Sequence, residues 1–209
     1  TRKFLNQLAS LSMMKSILLY LVLLALLLLS CREPKLEQYE GPIQEVVIPD
    51  LIIHPTDPGL TQKGPLLLLN GEPFSGTMIE AYTPTVLKSR KSYVAGRQHG
   101  LMESWYEDGQ PEQQREYISG KKVGIHRAWW EDGKPKFEFH FLDGEHHGPA
   151  IEWFASGRKY REFHYTHGQE DGSQKMWEED GRYRANYVVR NGKQYGLTGA
   201  KPCVSVLEQ

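Results

Sequence analysis

Two cysteines in 209 residues, Cys31 and Cys203, leave this chain little with which to build a disulfide framework. It has no basic surplus either. Its 25 Lys and Arg against 26 Asp and Glu give a formal net charge of −1, whereas phosphate-backbone binding draws on a basic stripe, so nucleic acid is not an expected partner. Long apolar runs are missing as well. The longest, residues 17 to 29, has 13 residues, and a spanning helix takes about 20. No nucleophile–base pair, phosphate-cradling glycine loop or metal-ligand spacing stands out, so no catalytic residue, no metal ligand set and no cofactor are expected.

Glycine is what the chain does have, and it is placed by rule. Gly100, Gly124, Gly148, Gly172 and Gly196 are 24 residues apart without an insertion. Three ladders keep the same step: Gly96 to Gly192, Gly109 to Gly181, and Trp105, Trp129, Trp153 and Trp177. A fifth runs through Tyr93, Tyr117, Phe141, Tyr165 and Val189. Such a period implies units that contact mainly their neighbours, and so a surface for binding rather than an enclosed pocket.

The short apolar run fits the hydrophobic region of a secretory signal, with Lys15 before it and Ser30-Cys31 behind it. Leu28-Leu29-Ser30-Cys31 resembles the bacterial lipobox, in which cleavage precedes an acylated cysteine. The expectation is a signal peptide over 1–30, starting at Met13 or Met14, and a membrane anchor at Cys31. Removing 30 residues leaves 179, and with Arg2, Lys3 and Lys15 gone the formal charge falls from −1 to −4. The implied place is the bacterial cell envelope, facing the periplasm or cell surface. Arg32 rather than Asp after the cysteine points to the outer membrane if the cell is Gram-negative.

Residues 31–64 hold Pro34, Pro42, Pro49, Pro55 and Pro58, too closely spaced for a helix or a central strand, and read as a tether. Its middle, Val46 to Ile53, is apolar enough to cap the end of a repeat array. The repeat domain is expected over 65–209, opening with Leu66 to Leu69 and an Asn70-Gly71 hairpin. Each unit reads as two antiparallel strands. Between Trp129 and Phe137, a three-residue Glu131-Asp132-Gly133 loop would gather Ile125, Trp129, Phe137, Phe139 and Phe141 on one face. Lys136, Glu138 and His140 would then point the other way. The fold class is all-β, an elongated twisted antiparallel β-meander of 24-residue two-stranded units.

The segments YISGKKVGIHRAWWEDG, FLDGEHHGPAIEWFASG and YTHGQEDGSQKMWEEDG carry a Tyr-x-x-Gly turn (Phe141 in the second), a glycine opening a strand, a Trp-aromatic pair and an acidic glycine hairpin. Together they resemble the MORN-repeat variant family, also known as YwqK-type antitoxin repeat proteins. Departures are Ser156 at the third turn, Glu178 for the second aromatic of the fourth unit, and Ala81-Tyr82 in the first. The resemblance implies a β-meander that binds proteins or membranes and carries no chemistry.

On this register Trp105, Trp129, Trp153 and Trp177 form a buried structural spine. Tyr106, Trp130 and Phe154 lie on the opposite, polar face with Glu112, Glu138, His140, Glu162 and His164, as candidate binding residues for a protein or glycan partner. The competing reading is that these rings stiffen their own hairpins. Two other functional readings stay open: a metal or redox accessory protein using Cys203 and histidines, with Glu145-His146-His147 as a weak surface site, and an immunity or antitoxin-like protein.

Overall fold

The computed structural model describes residues 46–199, which lie within one compact unit. It is all-β. One long sheet runs almost in chain order: Ile52–Ile53, Gly76–Thr83, Val86–Val94, Gly100–Trp105, Pro111–Ile118, Lys121–Trp129, Pro135–Leu142, Glu145–Trp153, Lys159–Thr166, Gly172–Trp177, Tyr183–Arg190 and Lys193–Leu197. All these neighbours pair antiparallel except the first, where Ile52–Ile53 adds parallel to Gly76–Thr83. From Gly76–Thr83 onward each strand therefore meets the next through an antiparallel connection, which is why a short repeat can extend the sheet without a crossover.

A separate three-stranded sheet pairs Leu60–Lys63, Leu66–Leu69 and Glu72–Pro73. Its Asn70-Gly71 turn is as tight as the residues imply, with Leu69 opposite Glu72 and both turn residues at positive φ. This hairpin does not open the repeat sheet, which begins at Gly76. The boundary drawn at residue 65 falls inside the small sheet, because Lys63 pairs with Leu66. The apolar segment before it runs along the first long strand: Leu51 O accepts from Thr77 N–H at 2.8 Å, and Ile53 is buried with Leu67 and Phe74. The signal segment, Cys31 and Cys203 lie outside the described residues.

Two kinds of turn alternate along the long sheet. One end uses two-residue loops such as Ser119-Gly120 and Asp143-Gly144, with both residues at positive φ. The other uses the three-residue loop foreseen at Glu131-Asp132-Gly133: Trp130 N–H donates to Lys134 O and Gly133 N–H to Trp130 O, both at 2.8 Å, with Gly133 at φ 78°.

The faces nevertheless come out the other way. Trp129 lies opposite Pro135 but Ala128 lies opposite Phe137, so Lys136 is an extra residue, bulged out of register. The loop and the bulge together restore the register that a two-residue turn would have given. Residues opposite each other share a face, so Phe137, Phe139 and Phe141 lie with Ala128, His126 and Gly124, while Ile125 lies with His140. Lys136 joins the phenylalanine face, its Nζ 4.5 Å from the Trp130 ring centre.

Burial follows this register. Ser104, Ala128, Ala150, Phe163, Ala185 and Tyr187 are buried on the phenylalanine face, together with His126 and Gln174. Small side chains at strand centres are covered by the rings of flanking strands, so one face of the sheet assembles its own core. Trp105, Trp129, Trp153 and Trp177 are only half-buried. Alternation along each strand places them on the opposite face: Arg90 is ion-paired to Glu103 and stacks 6.0 Å from the Trp105 ring. The aromatic spine on the buried face is a different set of residues.

Candidate functional site

The bulge recurs in every unit, at Lys88, Glu112, Lys136, Tyr160 and Arg184, and each bulged residue turns toward the position after the tryptophan ladder. Lys88 stacks over Tyr82 and Lys136 over Trp130, at 5.7 and 4.5 Å. Phe154 and Tyr160 have ring centres 5.0 Å apart, and Arg184 faces Glu178 across 3.9 Å. Glu112 helps raise the Tyr106 hydroxyl above its ordinary pKa, after burial, which is the larger cause. The sequence lacks any single motif for this pairing, since the bulged position is Lys in two units and Glu, Tyr and Arg in the others.

Between two of these couples the sheet surface is hollowed into a groove of about 620 Å³, lined by Trp130, Phe137, Phe139, Phe154 and Tyr160, with Trp153, Lys136, Glu152, Ala155 and Glu179 around them. Phe137 and Phe139 stack nearly parallel, 4.5 Å between centres, and form its floor. Two of the three sequence-selected binding residues, Trp130 and Phe154, are therefore brought together, but on the phenylalanine face rather than among Glu138, His140 and Glu162. The third is tied down: Tyr106 donates its hydroxyl to Trp129 O at 2.8 Å, linking one unit to the next.

The polar face is an ion-pair field. Arg127 Nε is 2.9 Å from Glu138 Oε2, and His140 Nε2 is 3.2 Å from Glu138 Oε1. Burial works to raise the Glu138 pKa, but the hydrogen bonds from His140 and Arg127 hold it below its ordinary value.

Sequence reasoning missed the most buried polar groups. His126, 2% exposed, sits on a ladder of rings with Tyr117 and Phe141, whose centres are 5.4 and 4.6 Å away. The ladder continues through His146 to Tyr165 at 4.3 and 5.1 Å. Burial pushes the His126 pKa down to about 4, and it lowers His146 too, with help from Lys122 and Arg161. Burial thus favours the neutral form of both rings, which pack against the aromatic side chains of the ladder. The signal that would have found them is alternation counted from Ala128 instead of from Trp129.

This arrangement separates His146 from His147, which turns to His167 with ring centres 5.0 Å apart. The Glu145-His146-His147 site does not form. Among the described residues no three His, Cys, Asp or Glu side chains gather in a metal-binding arrangement.

Comparison with known proteins agrees with the repeat geometry. The model of the MORN repeat variant family matches residues 98–119 and 122–143, two adjacent units in the 24-residue step. No curated protein matches the chain.

Proposed function

We propose that this chain, a carrier of MORN-variant repeats, is a non-enzymatic, lipid-anchored binding or scaffold module of the bacterial cell envelope. The observation that supports a binding role is the groove between Trp130 and Phe154, an apolar hollow that gathers aromatic rings from adjacent repeats. Rings held apart by the strand spacing, two strands or about 10 Å per unit, offer a partner several anchors without any change in the sheet. Anchoring through Cys31 supplies membrane attachment that a net-acidic surface does not. The outer-membrane position rests on Arg32 following that cysteine.

The reading is tested by capture. Mature chain immobilised through its N-terminus, with and without Trp130→Ser and Phe154→Ser, is exposed to envelope extract from its own cell. Proteins retained by the unaltered chain and lost by the variant, at equal thermal midpoints, support it. Equal retention places binding elsewhere on the sheet.

A further inference from the structure

The groove is flanked by positive charge that has no partner. Arg115 lies over the Phe137 ring at 5.8 Å, Lys136 over Trp130 at 4.5 Å and Lys122 over Phe141 at 4.9 Å. Among the described residues none of the three has a carboxylate within ion-pair distance, although surface cations of this sheet generally do, as Lys88, Arg90, Arg127, Lys159 and Arg161 show. Arg115 Nε is also buried without an acceptor. Of the two carboxylates lining the groove, Glu152 is taken by Arg161 at 2.5 Å. Glu179, at the far end, has no side-chain ion pair among the described residues.

Polarity therefore runs in one direction across the strands. Positive groups come from Pro111–Ile118, Lys121–Trp129 and the start of Pro135–Leu142. Apart from Trp130, which lies beneath Lys136, the rings come from Pro135–Leu142 onward, ending with Phe154 and Tyr160 and then Glu179. Cations over ring faces keep one side of the charge open to a ligand while the ring holds the other. Burial is the main cause of the lowered His126 and His146 pKa values, and Arg115 and Lys122 lower the first further while Lys122 and Arg161 lower the second.

We infer that the groove takes an acidic–apolar peptide segment of a partner protein, with a large apolar side chain seated on Phe137, Phe139 and Phe154 and a neighbouring carboxylate held by Arg115 and Lys136. The inference rests on the binding reading above and adds the chemistry of the ligand. A peptide fits better than a compact solute, because the charge and the rings are offset along the stacking direction. An extended chain advances 3.4 Å or so per residue and spans one repeat of about 10 Å in three.

Three fluorescein-labelled octapeptides provide the probe, sharing a central Phe-Leu pair flanked by two Asp, two Asn or two Lys. Anisotropy with the full chain should rank them Asp, Asn, Lys, with Asp over Lys by about tenfold or more at low salt. The preference should shrink to within about twofold in Arg115→Gln/Lys136→Gln. Asn-peptide affinity in that variant should stay near its unaltered value and confirm that the rings remain in place. Equal binding of all three, a preference for Lys, or no binding of any overturns the inference. So does binding to phosphatidylglycerol vesicles with none to the peptides, which would assign the cations to lipid. A partner captured through Trp130 and Phe154 would still stand in each of these cases, so failure here is distinct from failure of the binding role.

Discussion

Gln174 does in its unit what His126 does two units earlier: each spends its buried side chain on the main chain of the preceding strand, ten residues back. His126 Nε2 lies 2.9 Å from Glu116 O and 3.2 Å from Glu116 N. Gln174 Nε2 donates to His164 O at 2.8 Å, and its Oε1 accepts from His164 N–H at 3.1 Å. The cause is common. Strand pairing steps from Val123–Glu116 to Arg127–Gln114 and is confined to Arg161 and Glu162 in the later unit, where His164 O also accepts from Asp171 N–H at 2.9 Å, so at each break a side chain bonds the main chain where the ladder is irregular. A buried main-chain group without a partner is costly, and the two side chains supply one.

The first prediction is a pH dependence. His126 titrates near its ordinary pKa of 6.5 when unfolded and at about 4 when folded, mainly through burial. Its neutral form is the folded one. Stability from this site is therefore complete above 6.5 and is lost as pH falls toward 4, by at most about 3 kcal/mol. His126→Gln, which copies Gln174, should keep the main-chain bonds and flatten the urea-midpoint profile between pH 7 and 4.5. His146 leaves a residual slope of the same sign. His126→Leu should cost about 1–3 kcal/mol at pH 7 by leaving Glu116 unbonded. Identical profiles for the unaltered chain and the Gln variant would show that His126 is not the titrating group.

A second prediction separates the two faces. Phe163, 6% exposed, belongs to the buried face, and Phe163→Ala should cost about 3–5 kcal/mol. Trp129→Ala, on the half-buried face, should cost clearly less. Denaturant unfolding of the two variants gives the order directly, and the reverse order would return the core to the tryptophan ladder.

Gly124 and Gly172 form a third test. Both have positive φ, 66° and 78°, but a Cβ at Gly124 would come within 2.7 Å of Glu116 Oε2, while Gly172 has open space. A carboxylate tip moves aside easily, so left-handed strain should dominate at both sites. Each change to Ala is expected to cost about 1–2 kcal/mol, and thermal midpoints of the pair should agree closely. A much larger loss at Gly124 would show that Glu116 is held in place.

The anchor is tested at Cys31. Cys31→Ser should block processing and leave the precursor unlipidated, running at the larger size of the uncleaved chain. Mass spectrometry of the unaltered protein should find an acylated N-terminal cysteine. An unmodified Cys31 within an intact chain would remove both the anchor and the envelope position that depends on it.

Spacing alone determined the all-β class, the 24-residue unit, its two strands and the glycine turns between them, because glycine at a positive-φ turn and an aromatic at a strand position are local requirements. Which face each aromatic occupies was decided only in the folded sheet. A strand's side chains alternate with period two, so one extra residue reverses every assignment beyond it. The bulges at Glu112, Lys136, Tyr160 and Arg184 are such residues, and with no side chain in common they leave no ladder in the sequence. For the same reason the sequence offered Trp130 and Phe154 as a pair but not Phe137 and Phe139 as the floor between them. That groove exists because two bulged hairpins lie side by side, a relationship between strands that no single strand carries.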